Sequence, residues 1–170
     1  DFQAGKQGPF LFYRVGRSRM VGVRHVSEPD MGNVLELAIE SSYDSLERVT
    51  DLVEEAAGKI GITEEDSADL MISVMEAVNN AIQHGNREDA QKKVHIKVQA
   101  ESSCVTVWIR DEGEGFDLDS VPDPRDPENL LNVSGRGILM MKAFMDQVEY
   151  PRDESGRLVK MTKKFEQSPS

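Results

Sequence analysis

A chain of 170 residues with 38% apolar and 30% charged residues has room for one domain with a proper core and the composition of a soluble protein. Its net charge of −11 argues against direct nucleic-acid binding, which needs clustered Lys and Arg against phosphate, and suits basic protein partners instead. The one cysteine, Cys104, excludes an internal disulfide or cysteine-cluster metal site and is read as a buried, inert thiol; no apolar run nears the roughly 20 residues of a membrane helix, and Pro9–Val15 is too short for a secretory signal and lacks a cleavage site, so a reducing, cytoplasmic setting is expected.

Residues 1–19 carry several Gly and Arg and no clear period. Met20 offers an alternative start that would leave 1–19 outside the native protein, and residues 1–30 are read as an N-terminal extension. Within it, Val21–Val26 reads as a short strand or an ordered arm, broken by Glu28-Pro29-Asp30. Val34–Glu40 is the first expected strand of the domain. Asp44 or Ser45 then caps a helix running to about Ile60, with Leu46, Val49, Leu52, Val53 and Ala56 at helical spacing and Gly61 as its left-handed stop.

Thr63, with Asp66 three residues on and Glu64 and Glu65 in the first turn, starts a second helix through Gly85. At about 100° per residue Leu70, Val74, Val78 and Ala81 share an apolar face, widened by Met71, Met75 and Ile82. Asp69, Ser73, Glu76, Asn80 and His84 gather on another face, within an arc of roughly 80°. Asp69–Gly85 contains no Lys or Arg, unlike an ordinary solvated helix face.

Asn86–Gln91 reads as a polar turn. Lys92–Glu101 and Cys104–Arg110 read as alternating strands joined at Ser102-Ser103, with His95 solvated and Trp108 covering the second face of the sheet. Asp111-Glu-Gly113-Glu-Gly115-Phe116 follows directly. The proline-rich segment of about 117–134 is too long for a plain connector and is a candidate lid. Ser134-Gly135-Arg136-Gly137 leads into an apolar helix from Ile138 to about Met145, and strands Val148–Pro151 and Leu158–Phe165 finish the domain around a hairpin turn at Asp153–Gly156.

Three pieces carry chemistry. A Glu and an Asn one turn apart can divide phosphoryl transfer, the Glu76 carboxylate orienting or deprotonating a nucleophile while the Asn80 amide oxygen ligates Mg²⁺. An ordinary polar stripe would look the same taken alone. An ionised Asp111 at a strand end can accept from an exocyclic amino group such as adenine's, with Gly113 and Gly115 permitting close backbone approach, although such a motif is also a common turn. Glycines ahead of a helix start, as at Ser134–Gly137, leave backbone amides for an anion.

In this order, Glu76-Ala-Val-Asn-Asn80-Ala-Ile-Gln-His84-Gly85, Asp111-Glu-Gly113-Glu-Gly115-Phe116 and Ser134-Gly135-Arg136-Gly137-Ile138 resemble the ATP-binding fold shared by gyrase, heat-shock protein 90 chaperones, histidine kinases and mismatch-repair ATPases. The Glu-x-x-x-Asn-Ala-x-x-His-Gly signature and the Phe144–Glu149 ending are most similar to the bacterial anti-sigma factor serine/threonine kinases. The resemblance covers roughly Val34–Phe165. It implies an α+β, two-layer α/β sandwich over residues 31–166: a mixed, mainly antiparallel sheet with helices on one face.

It also implies ATP and Mg²⁺ as cofactors, Asn80 as the metal ligand, Glu76 as the catalytic base and Asp111 on adenine. Gly113 and Gly115 would shape the pocket, and Ser134, Gly135, Arg136 and Gly137 would meet the phosphates. His84 would either support the phosphate region or make structural hydrogen bonds. The implied partners are an anti-anti-sigma protein of STAS type and a sigma factor, with homodimerisation suggested. The alternative is a nucleotide-dependent interaction switch with little transferase activity. One departure bears on this choice: some members carry an Arg before the second glycine box, where this chain has Val133, and Arg136 is the candidate substitute.

Overall fold

The structure, a computed structural model, describes residues 10–15, 19–28, 31–113, 133–153 and 156–165. Its strands are β1 (Phe10–Val15), β2 (Arg19–Glu28), β3 (Met31–Glu40), β4 (Lys93–Ala100), β5 (Cys104–Arg110), β6 (Gln147–Glu149), β7 (Arg152–Asp153) and β8 (Gly156–Lys164). The helices are α1 (Leu46–Ile60), α2 (Glu64–Asn80) and α3 (Val133–Phe144). The sheet runs β1-β2-β3-β4-β5-β8-β6, with β7 paired to β8, and every pairing among the described residues is antiparallel.

Alternation along the strands divides the sheet into two unlike faces. On the inner face, Leu35, Val98, Val107 and Met161 stand opposite one another in a row, as do Leu37, Ile96, Ile109 and Val159. All eight are buried against the helices. On the outer face the row is Glu36, Lys97, Trp108, Lys160 and Glu149. There the Lys97 ammonium sits 5.2 Å from the Trp108 ring centre, and Lys160 pairs with Glu149 at 3.0 Å. The helix layer contributes Val49, Leu52 and Val53 from α1, and Leu70, Val74 and Val78 from α2. Each such side chain is worth about 1.5–3 kcal/mol when fully buried. This core holds the two-layer sandwich together and fixes α2 across β5 and β8.

The helix boundaries follow local rules. Gly61 closes α1 at φ 62°, ψ 40°, with its N–H donating to the Ala57 carbonyl. Thr63 and Asp66 form a reciprocal cap: the Asp66 N–H donates to Thr63 Oγ1 at 3.1 Å, and the Thr63 hydroxyl donates to Asp66 Oδ2 at 2.9 Å.

Three features differ from the expected pattern. Phe10–Val15 forms a strand with β2, adding a hairpin to the sheet beyond β3 from within a segment whose sequence shows no clear period. The α2 ladder loosens after Asn80 into a π turn over Ala81–Gly85, closed by the Asn86 N–H donating to the Ala81 carbonyl at 2.8 Å. Lastly, α3 begins at Val133, so Ser134–Gly137 lie within its first turns instead of ahead of it. Helical packing of α3 on α2 overrides the weak helix propensity of its two glycines. The candidate lid at 117–134 lies outside the described residues up to Asn132. No described helix is long and apolar enough to cross a membrane.

Candidate functional site

Glu76 and Asn80 sit one turn apart on α2, both partly buried, and α3 begins directly over them. Gly137 is buried there: a Cβ added to it would come 2.5 Å from Glu76 Oε2 and 3.7 Å from Asn80 Nδ2. The glycine therefore lets the start of α3 approach the carboxylate and amide without a side chain between them. Because α3 starts at Val133, the backbone amides of Val133, Ser134, Gly135 and Arg136 are the ones without an intrahelical acceptor. They create the positive end of the helix dipole on the side of α3 nearest Glu76 and Asn80.

A second cluster forms where the end of α2 meets the end of β5. Asp111 is 1% exposed, and its Oδ1 accepts from the Gly113 N–H at 2.9 Å. A Cβ on Gly85 would overlap the Asp111 carboxylate, and a Cβ on Gly113 would overlap the Gly85 carbonyl. Two glycines thus pack around one buried carboxylate, and each is required by close approach. Glu112 points the other way. Its Oε2 accepts from the Lys93 N–H at 2.9 Å, and Oε1 lies 3.0 Å from His95 Nε2. The His95 hydrogen bond, followed by the Lys93 amide, holds the Glu112 carboxyl below its ordinary value. His95 is half-buried in this pair and is not simply solvated.

Other members of the expected polar face separate. Asp69 accepts from Lys163 Nζ at 2.9 Å, and the same ammonium donates to the Phe144 carbonyl at 2.9 Å and lies 3.3 Å from Asp66. Ser73 is fully buried, and its hydroxyl has no partner among the described residues. His84 lies in the π turn beyond the end of α2 and is exposed. Arg136 is exposed at the start of α3, and Gly115 lies outside the described residues. Cys104 is half-buried; burial, with a hydrogen bond to Glu101 at 3.5 Å, pushes its thiol up and keeps it unreactive.

The sequence motifs give Glu112 and Asn86 no role of their own. Asn86 is fully buried: its Nδ2 donates to the Lys93 carbonyl at 2.9 Å and its Oδ1 accepts from the Glu112 N–H at 2.8 Å. The position after His-Gly at a helix end gave the only sequence signal, and Asn in such a place is also an ordinary helix stop.

The model of the histidine kinase-like ATPase domain matches residues 39–163, which hold both clusters. Anti-sigma F factors of Bacillus thuringiensis (strain Al Hakam) and Bacillus mycoides (strain KBAB4) are each 38% identical to this chain over 134 residues, covering 76% of it and 89% of their own length. The chain belongs to the anti-sigma F factor family of histidine kinase-like ATPase domains. The ATPase domain also superposes on the crystal structure of the RsbU and RsbW domains of Rv1364c from Mycobacterium tuberculosis, with a TM-score of 0.56 over 77% of this chain and 31% of that one. At 18% identity that likeness shows the fold alone.

Proposed function

We propose that this chain is an ATP-dependent anti-sigma factor serine/threonine kinase that phosphorylates an anti-anti-sigma partner of STAS type and sequesters a sigma factor when that partner is unavailable. The observation that carries the reading is the start of α3 resting on the Glu76–Asn80 pair, with Gly137 putting no side chain between the helix and the carboxylate. Family membership supplies ATP as the phosphoryl donor. Glu76 accepts the proton of the partner hydroxyl as the serine oxygen bonds to the γ-phosphorus; the bond from that phosphorus to its bridging oxygen breaks and ADP leaves. The amides at the start of α3 donate to the phosphates. Asp111 accepts from the adenine amino group while Gly85 and Gly113 keep side chains out of its way.

The Asn80 amide fits Mg²⁺, since its oxygen is a hard ligand and this ion takes few protein oxygens and completes its shell with phosphates. When bound, Mg²⁺ would neutralise phosphate charge, with Asn80 holding it. The setting for this activity is cytoplasmic, and pairing of two copies belongs to the same proposal. Val133, in place of the Arg that some members carry, favours a second reading in which nucleotide binding switches partner affinity without efficient transfer.

Labelled Mg·ATP and a STAS-type partner, given to wild type and to Glu76→Ala, separate the two. Nucleotide binding by both proteins with transfer only by wild type supports the kinase. Equal labelling removes Glu76 from the mechanism, and nucleotide binding without any transfer leaves the switch. Asp111→Asn should weaken ATP binding, and unchanged affinity would undo the adenine assignment.

A further inference from the structure

Asn86 is fully buried at the junction of three separate parts of the chain. Its backbone N–H closes the π turn on the Ala81 carbonyl at 2.8 Å. Its side-chain amide donates to the carbonyl of Lys93, the first residue of β4, at 2.9 Å. The amide oxygen accepts at 2.8 Å from the N–H of Glu112, the residue between Asp111 and Gly113. The two partners fix which end of the amide faces which strand, because a carbonyl must meet the NH₂ and an N–H must meet the oxygen. Few side chains offer a donor and an acceptor at this reach in one plane, and a buried hydrocarbon here would strand both backbone groups.

The Glu112 N–H lies inside the loop that aims the Asp111 carboxylate. Asp111 Oδ1 is held by the Gly113 N–H one peptide further on, and Gly113 in turn abuts the Gly85 carbonyl, adjacent to Asn86 itself. Asn86 therefore ties the end of α2 to the Asp111 loop through Glu112 and to the start of β4 through Lys93. We propose that Asn86 is a positioning residue for base recognition: by holding the Glu112 amide it sets the direction of the Asp111 carboxylate, and so sets preference for a 6-amino purine. This rests on the reading of Asp111 as the adenine acceptor. Glu112 supplies a second tie through Lys93 and His95, but on the outer side of the loop and half-exposed.

The test compares binding of ATP with binding of purine riboside triphosphate, which lacks the exocyclic amino group. One hydrogen bond to a carboxylate corresponds to a preference of about 10- to 100-fold for ATP in wild type. Asn86→Ala should reduce that ratio to about threefold or less while changing affinity for the analogue by no more than about threefold. Asn86→Asp keeps an acceptor for the Glu112 N–H and should retain most of the ratio, even if its melting temperature falls.

A uniform loss of both affinities in Asn86→Ala, or an unchanged ratio, overturns the inference. Asp111→Asn separates the two layers. If it leaves the ratio intact, the adenine reading fails; if it abolishes the ratio and Asn86→Ala does not, only the role of Asn86 fails. Should Asn86→Ala not fold, amide exchange in wild type decides: a strongly protected Glu112 N–H supports the tie, and one exchanging freely in the folded protein refutes it.

Discussion

Replacing Gly137 with Ala should make this protein more stable and nearly inactive. The added methyl would stand 2.5 Å from Glu76 Oε2. That oxygen ends a flexible side chain, so the overlap is relieved by swinging the carboxylate instead of moving the helix. Opening the contact to an ordinary 3.4 Å displaces the oxygen by about 0.9 Å. A displacement near 1 Å at a reacting group costs on the order of 100-fold in rate, or about 2.7 kcal/mol at the barrier.

The fold gains in the same change, because Ala is favoured over Gly inside a helix by about 1 kcal/mol, or roughly 2–4 °C in a domain of this size. Single-turnover transfer from labelled Mg·ATP to a STAS-type partner, read beside a thermal melt and an ATP titration, measures all three quantities. The expected protein melts higher, binds ATP within about threefold of wild type and transfers about 100-fold more slowly. Full transfer in a protein with raised melting temperature would refute Glu76 as the base beside α3. A lowered melting temperature would show that the carboxylate does not yield.

Gly85→Ala carries a less avoidable overlap, since its methyl meets the Asp111 carboxylate and lies 2.8 Å from Asp111 Cβ; a loss of about 1–3 kcal/mol together with weakened ATP binding is expected by melting and titration. Gly58→Ala on α1 is the control: nothing lies within 4 Å, so stability should rise by up to about 1 kcal/mol with ATP affinity unchanged. Gly61→Ala, at φ 62°, should instead cost roughly 1 kcal/mol in a denaturant titration.

Lys163→Met should destabilise by about 1 kcal/mol, a value discounted because Asp66 and Asp69 are about a quarter exposed. Burial lowers the Lys163 pKa, but the hydrogen bonds to Asp69 and Asp66 outweigh it and raise it overall. The native state therefore holds this proton more tightly. Its contribution is complete below the ordinary lysine value of about 10.4 and disappears as pH rises through the higher folded value. The alkaline limb of the wild-type melting profile should accordingly be steeper than that of Lys163→Met.

Much of this arrangement is written in short-range rules. Gly61 after Ile60, Thr63 with Asp66, and the alternation of β4 and β5 each depend on neighbours a few residues away. The Glu76–Asn80 spacing is equally local, and one turn of helix brings both to the α3 start. What the sequence conceals depends on distant partners. Ser134–Gly137 has loop-like propensity, and only packing on α2 makes it helical. Asn86 reads as a turn residue because its partners are 7 and 26 positions away. The π turn cannot be counted from periodicity, so the spacing that groups His84 with Glu76 and Asn80 runs past the end of α2. The β1 strand has no visible alternation, and only its pairing with β2 reveals it.

The loosened turn at Ala81–Gly85 makes the winding between Asn80 and Asn86 matter more than most of the side chains there. Gln83 is exposed there, and exchanging it for another helix former removes no contact from the core. Winding the same residues as a regular helix would instead give the Ala81 carbonyl to the Gly85 N–H, turning everything beyond by about 100° and pushing it on by about 1.5 Å. Asn86 would then leave both strand ends at once. A redesign that tightens this turn into a regular helix would keep every motif letter while detaching the base-binding end of α2 from its sheet.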